Sequence, residues 1–143
     1  HKEDGFQCPT YKIGSPLIQR LTRKIEKHTE ELFEIEVINP EASTMLIAYG
    51  ATSRTAKALL SGQPGDIGLI RLKTLFPFSD EKIIQATKHA KRVIVTEMNL
   101  GQIYLETKKA LSCTSIPVQL LSKVGGALIT PDELLSFIRE EQP

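Results

Sequence analysis

One segment of the sequence could bind an anion. "YGATSR" follows an apolar run and offers Gly50, Thr52, Ser53 and Arg54 just before a helical pattern. Backbone N–H groups at a helix start, with hydroxyl and guanidinium donors, can hold a phosphate or carboxylate. The segment has one glycine where a dinucleotide-binding fingerprint has three, and it lacks the Gly-Lys-Ser/Thr ending of a P-loop. We therefore favour a strand-to-helix turn capped by Thr52 or Ser53, with a small-molecule or anion site as the alternative.

A second segment, "RLKTLFPF", combines charged and aromatic side chains. Arg71 and Lys73 leave an apolar run, and Phe76 and Phe78 follow. Aromatic side chains are costly to leave exposed on a loop, so the segment predicts a docking surface for another domain or subunit. Simple packing of the rings into the core is the alternative.

A third segment, "EMNLGQ", places polar groups at the end of another apolar run. Glu97 could act as an acid or base, but no histidine or second carboxylate stands nearby in the sequence to support that role. We therefore predict no catalytic residue here and assign Glu97, Asn99 and Gln102 to the same interface as the aromatic segment. The glycine pair in "SKVGGALIT" predicts a turn beside Lys123.

The histidines and cysteines do not form a metal-binding pattern. His1 is terminal, His28 lies among charges, and His89 falls near a predicted helix end. Cys8 and Cys113 are far apart and have no C-x-x-C spacing. Two cysteines cannot supply the four thiolates of an ordinary iron–sulfur cluster. We predict no metal site in this chain.

Composition limits the broad class of protein. The 143 residues suit one domain with a short extension, and 41% hydrophobic and 24% charged residues are ordinary for a soluble globular protein. A net charge of +1 gives no global field for nucleic acid or an acidic membrane. No apolar run reaches the roughly 18 residues of a membrane span, so a cytoplasmic protein is expected. The missing initial Met suggests a processed product or an excised fragment.

Short apolar runs alternate with helical patterns over most of the chain. Such runs, rich in Ile, Val and Leu, are typical of parallel strands buried on both faces, so the fold class is α/β in three layers. The predicted strands are Met45–Gly50, Asp66–Leu72, Arg92–Met98 and Pro117–Lys123, and the predicted helices are Ser53–Leu60, Ser79–Ala90, Gly101–Leu111 and Pro131–Glu140. Ser79 and Thr130 are the predicted N-caps of two of these helices.

The N-terminal part follows a different pattern. His1–Gly14 has no usable period and predicts an extended arm. From Ser15 onward, apolar residues at near-helical spacing among charged ones predict an amphipathic helix; they are Ile18, Leu21, Ile25 and Leu32. Phe33–Ile38 then alternates with period two, and its outward glutamates suggest a strand at the edge of the sheet.

Four motifs together resemble one known family. "LIAYGATSRTAK", "GLIRLKTLFPFSDEKI", "VIVTEMNLGQI" and "LLSKVGGALITPDEL", in this order and spacing, are similar to the C-terminal part of the α subunit of 2-oxoacid:ferredoxin oxidoreductases, nearest the 2-oxoglutarate type. The resemblance covers residues 44–140. The opening residues and the basic helix also resemble the connector from the family's preceding domain, which implies a division into residues 1–32 and 33–143.

The resemblance carries implications for fold and function. It implies a domain like the C-terminal domain of transketolase, with a five-stranded, mostly parallel sheet in the order 1-3-2-4-5 and an antiparallel first strand. The family converts a 2-oxoacid to an acyl-coenzyme A and passes electrons to ferredoxin.

The resemblance also separates this chain from the family's cofactors. Thiamine diphosphate, magnesium and iron–sulfur clusters would belong to the complete enzyme, bound by the N-terminal domain of the same subunit, the β subunit and other parts. This chain would serve assembly and active-site support, and alone it should be inactive. A free-standing α/β binding domain and a purely structural dimerisation domain are the alternatives.

Overall fold

The predicted alternation of strands and helices is present in the computed structural model, which describes residues 5–6, 10–62 and 65–140. Most of the predicted N-terminal arm, residues 1–4 and 7–9, lies outside this part. Helices and strands follow one another along the chain as α1 (Tyr11–Glu26), α2 (Thr29–Leu32), β1 (Ile35–Ile38), β2 (Thr44–Tyr49), α3 (Gly50–Gly62), β3 (Ile67–Leu72), α4 (Asp80–Ala86), β4 (Arg92–Glu97), α5 (Gln102–Ala110), β5 (Val118–Ser122) and α6 (Pro131–Glu140).

One sheet contains all five strands, in the order β1-β3-β2-β4-β5. β1 pairs antiparallel with β3, with Glu36 opposite Arg71. The other neighbouring pairs are parallel. Both the predicted order and the antiparallel first strand are therefore confirmed.

Side chains of the central strands belong to two separate apolar clusters, one on each face of the sheet. Successive residues of a strand point to opposite faces of the sheet. On β2, Met45 and Ile47 join the cluster that contains Ile83 of α4. Leu46 joins the other cluster, which contains Leu134 of α6. Helices thus cover both faces, and the three-layer prediction is confirmed.

Both predicted N-caps hold their helices in place. The Ser79 hydroxyl accepts from the backbone N–H of Lys82, 3.1 Å away, at the start of α4. At α6, the Thr130 hydroxyl accepts from the N–H of Glu133, and the Glu133 carboxylate accepts in return from the N–H of Thr130. This reciprocal pair is a capping box, which satisfies backbone donors that have no partner inside the helix.

Several helix boundaries differ from the predicted ones, most of all in α1, α3 and α4. The predicted amphipathic helix ends at Glu26, and Leu32 lies in the separate short helix α2. Helix α1 begins at Tyr11, so Tyr11–Gly14 is helical rather than part of an extended arm, and the N–H of Gly14 donates to the Thr10 carbonyl at 2.9 Å. Helix α3 begins at Gly50 instead of Ser53. Helix α4 ends at Ala86 instead of Ala90.

A short turn explains the early end of α4. The backbone of Thr87 leaves the helical region, with φ −107° and ψ 7°. Its hydroxyl donates to the carbonyl of Ile83 at 2.8 Å, which lets the chain leave the helix without an unsatisfied buried hydroxyl.

Among the described residues, no helix has the combination of length and apolar character that a bilayer crossing requires.

Candidate functional site

The carboxyl ends of four strands lie at one edge of the sheet, because β2, β3, β4 and β5 are mutually parallel. We call this the carboxyl edge; it is formed by the start of α3 and by loops 73–79, 98–101 and 123–130. Ligands and partners of open α/β sheets collect at such an edge.

Three loops of the carboxyl edge expose large apolar side chains. Phe76 after β3 is 75% exposed and Leu100 after β4 is 81% exposed. The complete set, which we call the apolar edge group, is Leu75, Phe76, Leu100, Val124 and Leu128. Single exposed apolar residues are ordinary, but a group along one edge is typical of a protein–protein contact.

The two aromatic rings predicted for the interface have different surroundings. Phe76 is exposed, whereas Phe78 is only partly exposed and packs on Phe33 of the core, with 5.0 Å between ring centroids. Core packing therefore explains the Phe78 ring, and Phe76 is the aromatic side chain of this loop that remains open to a partner.

Arg71 and Lys73 form ion pairs within the domain. Arg71 lies inside β3, one residue before its end, and its Nη1 is 3.1 Å from the Glu36 carboxylate. Lys57 donates to the other oxygen of Glu36 at 2.7 Å. These two cations, Lys57 first, lower the pKa of Glu36 below its ordinary value. Lys73 pairs with Glu34, so both predicted cations tie β1 to the rest of the sheet.

Glu97 is fully buried at the end of β4. Its carboxylate accepts from the backbone N–H groups of Ile103 and Tyr104, at 3.2 and 3.0 Å, and from the Tyr49 hydroxyl at 3.3 Å. A carboxylate at a helix N-terminus satisfies free N–H groups and is stabilised by the helix dipole. Glu97 therefore supports the carboxyl edge from inside, and direct contact with a partner does not fit its burial.

Asn99 completes this arrangement. Its Oδ1 accepts from the N–H groups of Gly101 and Gln102, at 2.9 and 3.3 Å, and its Nδ2 donates to the Tyr49 hydroxyl. Burial, and then the Glu97 carboxylate, raise the pKa of Tyr49, so the phenol stays protonated. Gly101 has φ +96°, a conformation that side chains rarely adopt. Gln102 is exposed beside this loop.

Sequence reasoning missed the role of Tyr49. The residue ends β2, which lies next to β4 in the sheet, and so reaches both Glu97 and Asn99. Its position directly before Gly50 was visible in the sequence, but its partners follow only from the strand order.

The hydroxyls at the start of α3 are used within the domain. Thr52 Oγ1 lies 2.8 Å from the Tyr49 carbonyl and 2.9 Å from the Thr96 carbonyl, and Ser53 Oγ donates to the Gly50 carbonyl at 2.7 Å. Both side chains are buried. Both hydroxyls donate to backbone carbonyls and accept from no N–H group at the helix start, so the prediction that Thr52 or Ser53 caps the helix is wrong. Arg54 is exposed, and nothing further in the geometry favours an anion at Gly50.

A clamp closes the loop after β5. Lys123 Nζ is 2.7 Å from the Glu133 carboxylate and 3.1 Å from the Leu128 carbonyl. The glycine pair between them has φ +92° and +84°, which explains why glycine is needed at Gly125 and Gly126. The bond from Lys123, followed by the N–H of Thr130, lowers the pKa of Glu133 to about 2. The sequence indicated the turn and Lys123 but not Glu133.

The described residues do not fit an iron–sulfur cluster or a bound metal ion. The described residues include one cysteine, Cys113, and it is exposed. Within the same residues, no group of three His, Cys, Asp or Glu side chains is placed to hold a metal ion.

A protein-family model matches most of the sheet and its helices. It describes the pyruvate:ferredoxin oxidoreductase core domain II and matches residues 42–134. This chain belongs to that family. The resemblance deduced from the four motifs is confirmed.

Curated relatives agree with this family. The 2-oxoglutarate synthase subunit KorA of Methanocaldococcus jannaschii is 37% identical over 137 residues, which is 94% of this chain and 37% of that subunit. The ketoisovalerate oxidoreductase subunit VorB of Methanothermobacter marburgensis is 36% identical over 108 residues, 73% of this chain and 30% of that subunit. The chain thus spans between 30% and 39% of the length of the curated relatives it matches.

Solved structures share the fold. The 2-oxoglutarate:ferredoxin oxidoreductase from Magnetococcus marinus, with 2-oxoglutarate, coenzyme A and succinyl-CoA bound, superposes with a TM-score of 0.72 at 21% identity, covering 94% of this chain and 24% of that one. A split-gene transketolase, an inactive β4 tetramer, gives a TM-score of 0.62 at 15% identity, covering 75% and 40%. The expected transketolase-like fold is confirmed.

Proposed function

We propose that this chain is the C-terminal, transketolase-like domain of the α subunit of a thiamine diphosphate-dependent 2-oxoacid:ferredoxin oxidoreductase that forms an acyl-coenzyme A. Membership of the core domain II family supports this assignment. The 2-oxoglutarate type is favoured because matches to 2-oxoglutarate synthase subunits extend over 94–99% of the chain, whereas ketoisovalerate oxidoreductase subunits match 73%. In this assignment residues 1–32 are the connector and residues 33–143 are the domain.

The domain's role is assembly and support rather than chemistry. Thiamine diphosphate, magnesium and iron–sulfur clusters are held by other parts of the enzyme, namely the N-terminal domain of the same subunit and the partner subunits. Ferredoxin meets the assembled, cytoplasmic enzyme. The polar side chains of the carboxyl edge favour this division, because Glu97, Asn99 and Tyr49 satisfy one another and the start of α5.

A single observation carries the assembly role: the apolar edge group lies on three loops at one edge of the sheet. The centre of a protein–protein interface is formed by such side chains, and aromatic anchors contribute most of the binding energy. We assign this edge to contact with the N-terminal thiamine-binding domain or the β subunit, with Phe76 as its aromatic anchor. Arg71, Lys73, Asn99 and Gln102 border it.

Reconstitution tests the assignment. The complete α subunit that contains this chain should, with its β subunit, reduce ferredoxin in a reaction that requires a 2-oxoacid and coenzyme A. Comparison of 2-oxoglutarate with pyruvate and 2-oxoisovalerate then identifies the substrate. An assembled complex that reduces ferredoxin with none of these acids would refute the proposed activity, and the same complex without this domain should fail to assemble.

A further inference from the structure

The loop after β4 is held from both neighbouring strands. In the sheet, β4 lies between β2 and β5. From the end of β2, the Tyr49 hydroxyl accepts from the side-chain Nδ2 of Asn99. From the end of β5, the Ser122 hydroxyl donates to the backbone carbonyl of Asn99. Asn99 therefore links the carboxyl ends of three adjacent strands.

The same asparagine closes the turn that follows it. Its Oδ1 accepts from the backbone N–H groups of Gly101 and Gln102, at 2.9 and 3.3 Å. Because an N–H group can only donate, the amide oxygen must face these two residues and the NH₂ group must face Tyr49. A Cβ at Gly101 would lie 3.1 Å from the Leu120 side chain of β5, so the turn also packs closely on the sheet.

The hydroxyl of Tyr49 has a task that packing does not explain. The Tyr49 ring is partly buried against the apolar cluster around Ile47, and a phenylalanine ring would fill the same space. The hydroxyl adds two hydrogen bonds, because it accepts from Asn99 and donates to Glu97 at 3.3 Å. It thereby connects the loop to the carboxylate that holds the start of α5.

Leu100 lies in the middle of this fastened turn. It is 81% exposed, while hydrogen bonds fix the residues on either side of it, Asn99 and Gly101. Exposed loops are ordinarily the mobile parts of a fold, because few contacts hold them. An apolar side chain that is held in place beforehand loses less conformational freedom when a partner covers it. The turn therefore suits a pre-positioned apolar anchor.

We propose that Tyr49 and Ser122 are positioning residues for assembly, whose hydroxyls hold Asn99 so that Leu100 is presented in its binding geometry. This inference rests on the proposed function, because it requires that another part of the enzyme covers the carboxyl edge. The chain spans well under half of the length of its relatives, so the remainder of the enzyme can supply the covering surface. Both hydroxyls act through Asn99 rather than by contact with the partner.

Removal of each hydroxyl tests the positioning. Tyr49→Phe and Ser122→Ala are made separately in the complete α subunit. Hydrogen exchange is followed by mass spectrometry on peptides that contain the amides of Gly101 and Gln102. In each variant these amides should exchange about 3- to 10-fold faster, because the Asn99 side chain that accepts from them is held less firmly.

A second tyrosine provides the matched control. Tyr104→Phe also removes a phenol hydroxyl, but it keeps the backbone N–H that donates to Glu97 at 3.0 Å. This variant should leave exchange in the loop unchanged. Circular dichroism should show that all variants are folded.

A double-mutant cycle tests whether the positioning acts through Leu100. In the complete α subunit, Leu100→Ala should weaken association with the β subunit by at least about fivefold. Tyr49→Phe should weaken it by about 2- to 10-fold. In the Leu100→Ala background, however, Tyr49→Phe should change association by less than about twofold, because the side chain that it positions is gone. Calorimetric titration provides the measurement.

Contrary outcomes separate this inference from the proposed function. Unchanged exchange at Gly101 and Gln102 in both hydroxyl variants overturns the positioning. Equal weakening of association by Tyr49→Phe in both backgrounds overturns the role of Leu100, as does an association that Leu100→Ala leaves unchanged. If Phe76→Ala still weakens association in that case, the proposed function stands and this inference fails. If neither side chain matters for association, the assembly role of the carboxyl edge fails as well.

Discussion

The ring of Phe78 packs on the ring of Phe33, with 5.0 Å between their centroids and 53° between their planes. A tilted arrangement at this separation is favourable for aromatic pairs. Phe33 is fully buried, whereas Phe76, two residues before Phe78, is 75% exposed. One loop therefore gives one ring to the core and another to the carboxyl edge.

Truncation of these two rings should separate folding from surface effects. In the 143-residue chain, Phe78→Ala removes the partner of Phe33 and should lower the free energy of unfolding by about 3 kcal/mol. Phe76→Ala should change it by less than about 0.5 kcal/mol, because the ring is exposed. Urea denaturation of both variants measures the difference. Equal losses would mean that Phe76 also belongs to the core.

Phe76 should matter when the subunits assemble. In the complete α subunit, Phe76→Ala should weaken association with the β subunit, or domain docking, by about 1–3 kcal/mol, which corresponds to about 5- to 150-fold. Leu105→Ala is the matched control, because Leu105 is 62% exposed but lies on α5. Quantitative co-purification or calorimetry provides the measurement. Unchanged association in both variants would remove Phe76 from the interface.

Glu97 should hold the start of α5. Glu97→Gln keeps the shape but directs an NH₂ group towards backbone N–H donors, so we expect a loss of about 1–3 kcal/mol in stability. Amide hydrogen exchange at Ile103 and Tyr104 should become faster. Glu106→Gln removes a carboxylate that is half-exposed and pairs with Lys109, so it should cost at most about 1 kcal/mol. A Glu97 variant as stable as the Glu106 variant would show that the carboxylate is dispensable.

The clamp at Glu133 should respond to acid. Its pKa is lowered from 4.5 to about 2 in the folded chain, so the stabilisation is complete above about pH 4.5 and is lost as the pH falls towards 2. Lys123→Met should raise the pKa of Glu133 back towards 4.5, because the largest cause of the shift is removed. Carboxyl chemical shifts measured against pH test this, with Lys108→Met as a lysine control. An unchanged midpoint in Lys123→Met would contradict the role of this ion pair.

Local patterns in the sequence predicted the elements because strands and helices bury apolar residues with different periods. The runs at β2, β3, β4 and β5 were each found to within two residues at either end. Ser79 and Thr130 were correct as N-caps because side-chain capping depends on a few neighbouring residues. Boundaries without such a signal were less accurate, as at the start of α3 and the end of α4.

The strand order was predicted from family resemblance, since periodicity does not specify which strands become neighbours. The same limit applied to the carboxyl edge. The sequence indicated that "RLKTLFPF" and "EMNLGQ" belong to an interface. It could not show that Phe76 is exposed while Phe78 packs on the core, or that Glu97 is buried.

The sequence by itself determined the α/β class, the approximate elements and, through four motifs, the family. The tertiary structure alone decided which side chains of the carboxyl edge are satisfied and which are open. Tyr49 meets Glu97 and Asn99 only because β2 lies beside β4. These two hydrogen bonds of Tyr49 join residues 48 and 50 positions apart in the chain, and no local pattern contains that information.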